Sequence, residues 1–94
     1  MNEFEQYRQL ILPVLKRNFI RRAAIFGSLA KGNMSADSDI DLLIEPEKGF
    51  TIFQMLKLEE EISELIKHKV DLVEYSALKP SIKEDVLLSA ITIL

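Results

Sequence analysis

The 94-residue chain contains no cysteine, no tryptophan and one histidine, His68. Without cysteine there is no disulfide framework, no thiolate metal site and no thiol nucleophile. A lone histidine at the end of an expected helix complements the helix dipole more readily than it builds a ligand set. No apolar run approaches the roughly 18 residues of a membrane-spanning helix. The opening MNEFEQYRQL lacks the basic-then-apolar layout of a signal peptide. A cytoplasmic location is therefore expected, with no membrane partner. Positive charge is also scarce. The formal net charge is −3, which argues against nucleic acid as a main partner, because phosphate contacts need clustered Lys and Arg. The one basic cluster, Lys16-Arg17 with Arg21-Arg22, suits the solvated end of a helix. Its alternative use is a rim that attracts a triphosphate or an acidic partner. Repeats, low-complexity segments and linkers are missing as well.

What is present is the composition of one folded domain, expected to span residues 1–94. Hydrophobic residues make up 48% of the chain, and a domain this small buries a limited fraction of its surface. Some apolar surface is then left for another chain.

Phe4, Tyr7, Leu10, Ile11, Val14 and Leu15 recur at helical steps after the candidate N-cap Asn2. Pro13 interrupts them, which predicts a bent helix to about Arg17 or two short pieces. Arg22 to Phe26 reads as a strand, Gly27 to Gly32 as a turn with a short helix, and Asp39 to Glu45 as a second strand stopped by Pro46. Thr51 to about His68 is expected as the longest helix, with Phe53, Leu56, Ile62, Leu65 and Ile66 as its apolar stripe and Met55 and Leu58 widening it. Val70 to Glu74 alternates as a third strand. Ser81 is expected to cap a last helix over Ile82 to Ser89, with Glu84 in a capping box. Ile91 to Leu94 either pairs at a sheet edge or packs under the helices. The fold class is α+β: a small mixed sheet with helices packed on one side.

The chain is organised around Ala24 to Glu45, AIFGSLAKGNMSADSDIDLLIE. In a strand, residues two apart share a face, so Asp39 and Asp41 project together while Ile40 and Leu42 point away. Adjacent carboxylates repel unless a cation lies between them. A hard divalent ion suits carboxylate oxygens and leaves room for phosphate oxygens. Upstream, Gly27 allows a tight turn and a close ligand approach. Ser28, opening a short helix, offers N–H groups and a hydroxyl to an anion. Asp71 alternates with Val70 and Leu72, and it joins the other two acids if the third strand lies beside the second. Glu74, three residues on, is the rival, but it faces the opposite side of a regular strand. Three acids beside a phosphate-binding turn point to metal-assisted phosphoryl or nucleotidyl transfer.

Gly27-Ser28, ten residues, then Asp39-Ile40-Asp41 resembles the signature of the polymerase-beta-type nucleotidyltransferases. The stretch FGSLAKG…SDIDLLIE is similar to the minimal nucleotidyltransferases, small prokaryotic proteins commonly paired with a helical HEPN-domain protein as toxin and antitoxin. The resemblance runs from Phe4 to about Ala90. It implies a polymerase-beta-like fold and two Mg2+ ions held by Asp39, Asp41 and Asp71, with ATP as co-substrate; Mn2+ suits the same oxygen ligands. It further implies that the first two acids bridge the metals and that the third positions and deprotonates the acceptor. Nucleotide contacts fall to Gly27, Ser28, Lys31 and Ser38. Lys31 stands where many relatives carry Arg, and it lacks the bidentate fork; its plainer reading is a solvated loop charge. Ser38 either orients Asp39 or forms a turn.

The expected function is transfer of a nucleoside monophosphate, AMP from ATP, to an acceptor hydroxyl on a HEPN toxin partner, which silences it. The first alternative is a binding antitoxin that neutralises by occlusion without catalysis. The second resembles the aminoglycoside nucleotidyltransferases, with an acceptor pocket completed in a homo-oligomer.

Overall fold

The computed structural model describes residues 2–94. Asn2 caps the first helix, α1 (Glu3–Arg17), by accepting the Glu5 N–H at 2.8 Å. Glu3 and Glu5 in the first turn and Lys16 and Arg17 in the last complement its dipole. Pro13 lies inside one continuous helix, so the two-piece alternative is not realised. The chain then turns through Phe19, at φ 60°, into β1 (Ile20–Phe26), which begins two residues earlier than its composition suggested. Helix α2 (Ser28–Lys31) and a loop lead to β2 (Ile40–Pro46). Asp39 stands just outside this strand, and Pro46 is its last residue, not the first residue beyond it.

Helix α3 (Ile52–Ile66) starts with the Thr51–Gln54 capping box. Thr51 Oγ1 accepts from Gln54 N at 3.2 Å, and Thr51 N donates to Gln54 Oε1 at 2.7 Å. Strand β3 (Val70–Glu74) has the expected bounds, and a 3-10 turn over Tyr75–Ala77 follows. Helix α4 (Pro80–Ser89) is capped by Lys79 with Pro80 in its first turn, so Ser81 is not the cap. The reason is that a proline at the first helical position has no N–H to leave unpaired.

The four-stranded sheet has the order β3-β2-β1-β4. Strand β2 pairs antiparallel with β1 and parallel with β3, while β4 (Ile91–Thr92) runs antiparallel along the outer edge of β1. The apolar C-terminal stretch therefore pairs at the sheet edge. Ile93 N donates to Ala23 O at 2.9 Å, and Ala23 N donates to Leu94 O at 3.1 Å.

One face of the sheet presents Ala23, Ile25, Ile40, Leu42, Ile44, Val70 and Leu72 to α1 and α3, which contribute Ile11, Val14, Leu15, Leu58, Ile62 and Ile66. Each fully buried aliphatic side chain here stabilises by about 1.5–3 kcal/mol. The stripe of α3 is therefore Leu58, Ile62 and Ile66, with Met55 partly packed. Phe53 and Leu56 are 79% and 57% exposed, against expectation. Phe53 is five residues from Leu58, about 140° around a helix from that line. The opposite face of the sheet carries Ala24, Phe26, Asp41, Leu43, Asp71 and Val73, of which Ala24 and Leu43 are buried. Helix α4 lies over this second face, an addition to the two long helices on the first.

Candidate active site

The site is built where three strands meet on the second face. β1 ends at Phe26, which lies opposite Asp41 in the antiparallel pair. Asp41 lies opposite Asp71 in the parallel pair. The alternation of β2 sends Ile40 and Leu42 into the core and leaves Asp41 on the other face, half-buried. β3 repeats the pattern: Val70 and Leu72 are buried, and Asp71 is exposed.

Gly27 follows Phe26 with φ 74° and ψ −148°, a backbone conformation that L side chains rarely adopt. A Cβ at this residue would fall on Asp41 Oδ2. The glycine is thus required twice, by its positive φ and by the carboxylate lying against it.

Asp39 sits at the mouth of β2. The Ile40 N–H donates to Lys69 O at 2.9 Å, which ties this point to the chain entering β3. Lys69 Nζ is 4.0 Å from Asp39 Oδ2, with both side chains substantially exposed. Burial pushes the Asp41 carboxyl above the usual carboxylate range, and the charges of Asp71 and Asp39 push it the same way. Ionised Asp41 is therefore held at an electrostatic cost that a cation among these acids would relieve.

Among the described residues, no three acids are already drawn together closely enough to hold a metal ion. The donor chemistry nevertheless suits Mg2+ or Mn2+. Asp41 and Asp71 are hard oxygen donors on adjacent strands, Asp39 lies two residues away, and burial, followed by the charges of Asp71 and Asp39, raises Asp41.

The other residues singled out from the sequence divide. Ser28 opens α2 directly after Gly27. Lys31 is exposed at the far end of that helix. It lines a cavity of about 520 Å3, the larger of two near this end of the sheet, together with Phe4, Leu29, Met34 and Ile91. Ser38 is engaged in a turn: its hydroxyl accepts Ser35 N at 2.9 Å and lies 3.0 Å from Ser35 Oγ. Glu74 lies opposite Ile44, three pairs along the ladder from Asp41–Asp71.

The larger cavity contains none of the three acids. A smaller one, about 310 Å3, has Asp41 and Asp71 in its wall with Phe26, Val73, Lys79, Ile82 and Val86. Of the two, only this smaller cavity brings any of the three acids to its wall, and size without reactive groups does not make a site. Lys69 and Lys79 were not singled out from the sequence. Phe26, preceding Gly27, and Ile82 and Val86, apolar positions of the expected last helix, did carry a local signal.

A mixed sheet with a Gly-Ser turn at the end of one strand, and acids on the next two, defines the class of the small nucleotidyltransferases. Residues 9–94 match the family described as Polymerase beta, Nucleotidyltransferase, and the chain belongs to it. It is 32% identical to a candidate protein adenylyltransferase of Methanocaldococcus jannaschii, over 95% of this chain and 96% of that one. It is 37% identical to the protein adenylyltransferase MntA of Thermococcus cleftensis, over 72% of this chain and 69% of that one. Among solved structures, a candidate minimal nucleotidyltransferase superposes with a TM-score of 0.81 at 34% identity, covering 93% of this chain and 89% of that chain. A toxin–antitoxin crystal structure with AMP-PNP shares the fold, with a TM-score of 0.81 at 19% identity over 93% of this chain and 72% of that chain. No helix among the described residues is long and apolar enough to cross a membrane.

Proposed function

We propose that this chain, acting as one domain, is a protein adenylyltransferase that moves AMP from ATP to a hydroxyl on a partner protein and thereby serves as an antitoxin. The observation that carries the reading is the in-register pair Asp41–Asp71, with the Gly27 backbone against Asp41. The acceptor oxygen forms a bond to the α-phosphorus, the bond from that phosphorus to the bridging oxygen breaks, and pyrophosphate leaves. Asp71, exposed and adjacent, accepts the acceptor's proton. Asp41 is held in place by both neighbouring strands and by Gly27. Asp39, Asp41 and Asp71 would hold two Mg2+ or Mn2+ ions. Such ions lower the pKa of the attacking hydroxyl and neutralise charge on the leaving group. Gly27 and Ser28 face the phosphates from the turn; Lys31 and Ser38 contribute less directly, through the helix end and the loop.

Homologues named protein adenylyltransferases support AMP as the transferred group. The toxin–antitoxin setting of structures with the same fold, one of them a tri-AMPylated HEPN toxin with its MNT antitoxin, supports a HEPN-domain toxin as acceptor. The test is intact mass of the candidate partner after incubation with this chain, ATP and Mg2+. Gain of one or more AMP units, lost in Asp39→Asn/Asp41→Asn, supports the proposal; unchanged mass with both proteins refutes it.

A second reading, neutralisation by occlusion, is favoured by exposed apolar side chains. Ile52, Phe53 and Leu56 on α3 and Leu88 on α4 are more than half exposed. Here the double variant would still neutralise the partner.

A further inference from the structure

The cavity beside Asp41 and Asp71 contains one cation, Lys79; the rest of its wall is apolar. Resting on the nucleotidyl-transfer reading, we infer that Lys79 is a specificity-determining contact for the phosphate chain of the nucleotide. A polyanion entering this cavity meets two carboxylates, and repulsion of that kind weakens binding unless positive charge lies close by. Lys69, at the edge of the acid cluster, is already beside Asp39. Among the described residues, Lys79 has no ion-pair partner within 4.0 Å.

Its local backbone conformation is set although its side chain is exposed. Lys79 is the N-cap of α4, and its carbonyl accepts from Ile82 N at 3.0 Å and from Lys83 N at 2.9 Å. Pro80 follows, with its φ set by the ring. The root of a long, flexible ammonium arm therefore has a set local conformation where α4 begins, in the cavity wall, and the arm itself can follow a phosphate. A lysine ammonium binds phosphate as a point charge with three donors, and it needs no fixed fork geometry. Such a contact discriminates by the number of phosphates, because the base and ribose gain nothing from it.

The test is calorimetric titration of the full chain with ATP, ADP and AMP in the presence of Mg2+. Lys79→Gln is expected to weaken ATP binding about ten- to hundredfold, the range for a charged hydrogen bond. It should change AMP binding by less than about threefold. Lys79→Arg should restore most of the ATP affinity, and Lys83→Gln, on the same helix but outside the cavity wall, should behave as wild type. The inference is overturned if Lys79→Gln, with an unchanged circular dichroism spectrum and Tm, binds ATP as wild type does, or loses ATP and AMP equally. Wild type that binds no nucleotide would overturn the underlying reading and this assignment together. Wild type that binds ATP beside an unaffected Lys79→Gln overturns the assignment alone.

Discussion

Gly27 and Asp41 occupy one another's space: the glycine's missing Cβ is where the Asp41 carboxylate oxygen lies. Two strands are locked at this point, since Gly27 directly follows the residue paired with Asp41. The carboxylate therefore has its position set by backbone on one side and by Asp71 on the other.

Gly27→Ala should lose both stability and transfer. At φ 74° and ψ −148°, a region essentially restricted to glycine, a residue with a side chain costs about 1–3 kcal/mol, before Asp41 is displaced. For a domain of this size each kcal/mol lowers Tm by roughly 4–8 °C. Urea unfolding should show the loss, and AMP transfer should fall at least about a hundredfold, because misplacement of about 1 Å is enough for that. Wild-type activity in the variant would mean that the Asp41 position is not critical.

Asp41→Asn should raise stability while abolishing transfer. Burial, then Asp71 and Asp39, raise the folded-state pKa of Asp41 above its ordinary 3.8. The native state thus keeps its proton to higher pH than the unfolded chain does. Stability falls as pH rises from the unfolded value through the folded one, and the penalty is complete above the latter. In metal-free buffer the variant's Tm should exceed that of wild type at pH 7, and the two should converge below pH about 4. Added Mg2+ should raise the wild-type Tm and leave the variant's nearly unchanged.

Asp71 and Glu74 should separate cleanly. Asp71→Asn removes the acid opposite Asp41 and should slow transfer by about 10²–10⁴-fold, the usual range for loss of a positioned proton acceptor. Glu74→Gln, three pairs away opposite Ile44, should change the rate by less than about twofold and leave the unfolding free energy within about 0.5 kcal/mol of wild type. Equal losses in single-turnover rates would return Glu74 to consideration.

On α3, exposure and burial predict opposite outcomes for residues of similar hydrophobicity. Ile62→Ala, fully buried, should cost about 2–5 kcal/mol in urea unfolding. Phe53→Ser, mostly exposed, should leave stability within about 0.5 kcal/mol. Its effect should fall on association with the partner, measurable as a faster off-rate.

The site strands were the most legible part of the chain. Acid–aliphatic alternation in Asp39 to Ile44 and in Val70 to Glu74 assigns faces without any tertiary information, but the pairing of Asp41 with Asp71 depends on β3 lying beside β2, which only the sheet order decides. The start of β2 was displaced by one residue because pairing with β1 and β3, absent from local pattern, decides where a strand begins. The face of helix α3 was drawn too wide: Leu58, Ile62 and Ile66 are buried as expected, but Phe53, Leu56 and Leu65 are exposed, and only the sheet surface chooses among these apolar positions. Ser38 was ambiguous because a serine before an acid can cap or turn, and the Ser35 partner that settles its hydrogen bonds is a property of the loop. Lys79 carried no signal, since a lysine before a proline reads as solvent-exposed until α4 is laid over the second face.

None of the ten described residues of α4 is buried, yet the helix walls the cavity that contains Asp41 and Asp71. Detaching it exposes little apolar area, so its opening lies at the low end of the molecule's free-energy scale, far below separation of β1, β2 and β3. Amide exchange should accordingly be fast in α4 and slow at Leu42 and Leu43. Width and precision are thereby assigned to different parts of the same pocket: its aperture can adapt to an incoming chain while the spacing of its acids is kept by the sheet.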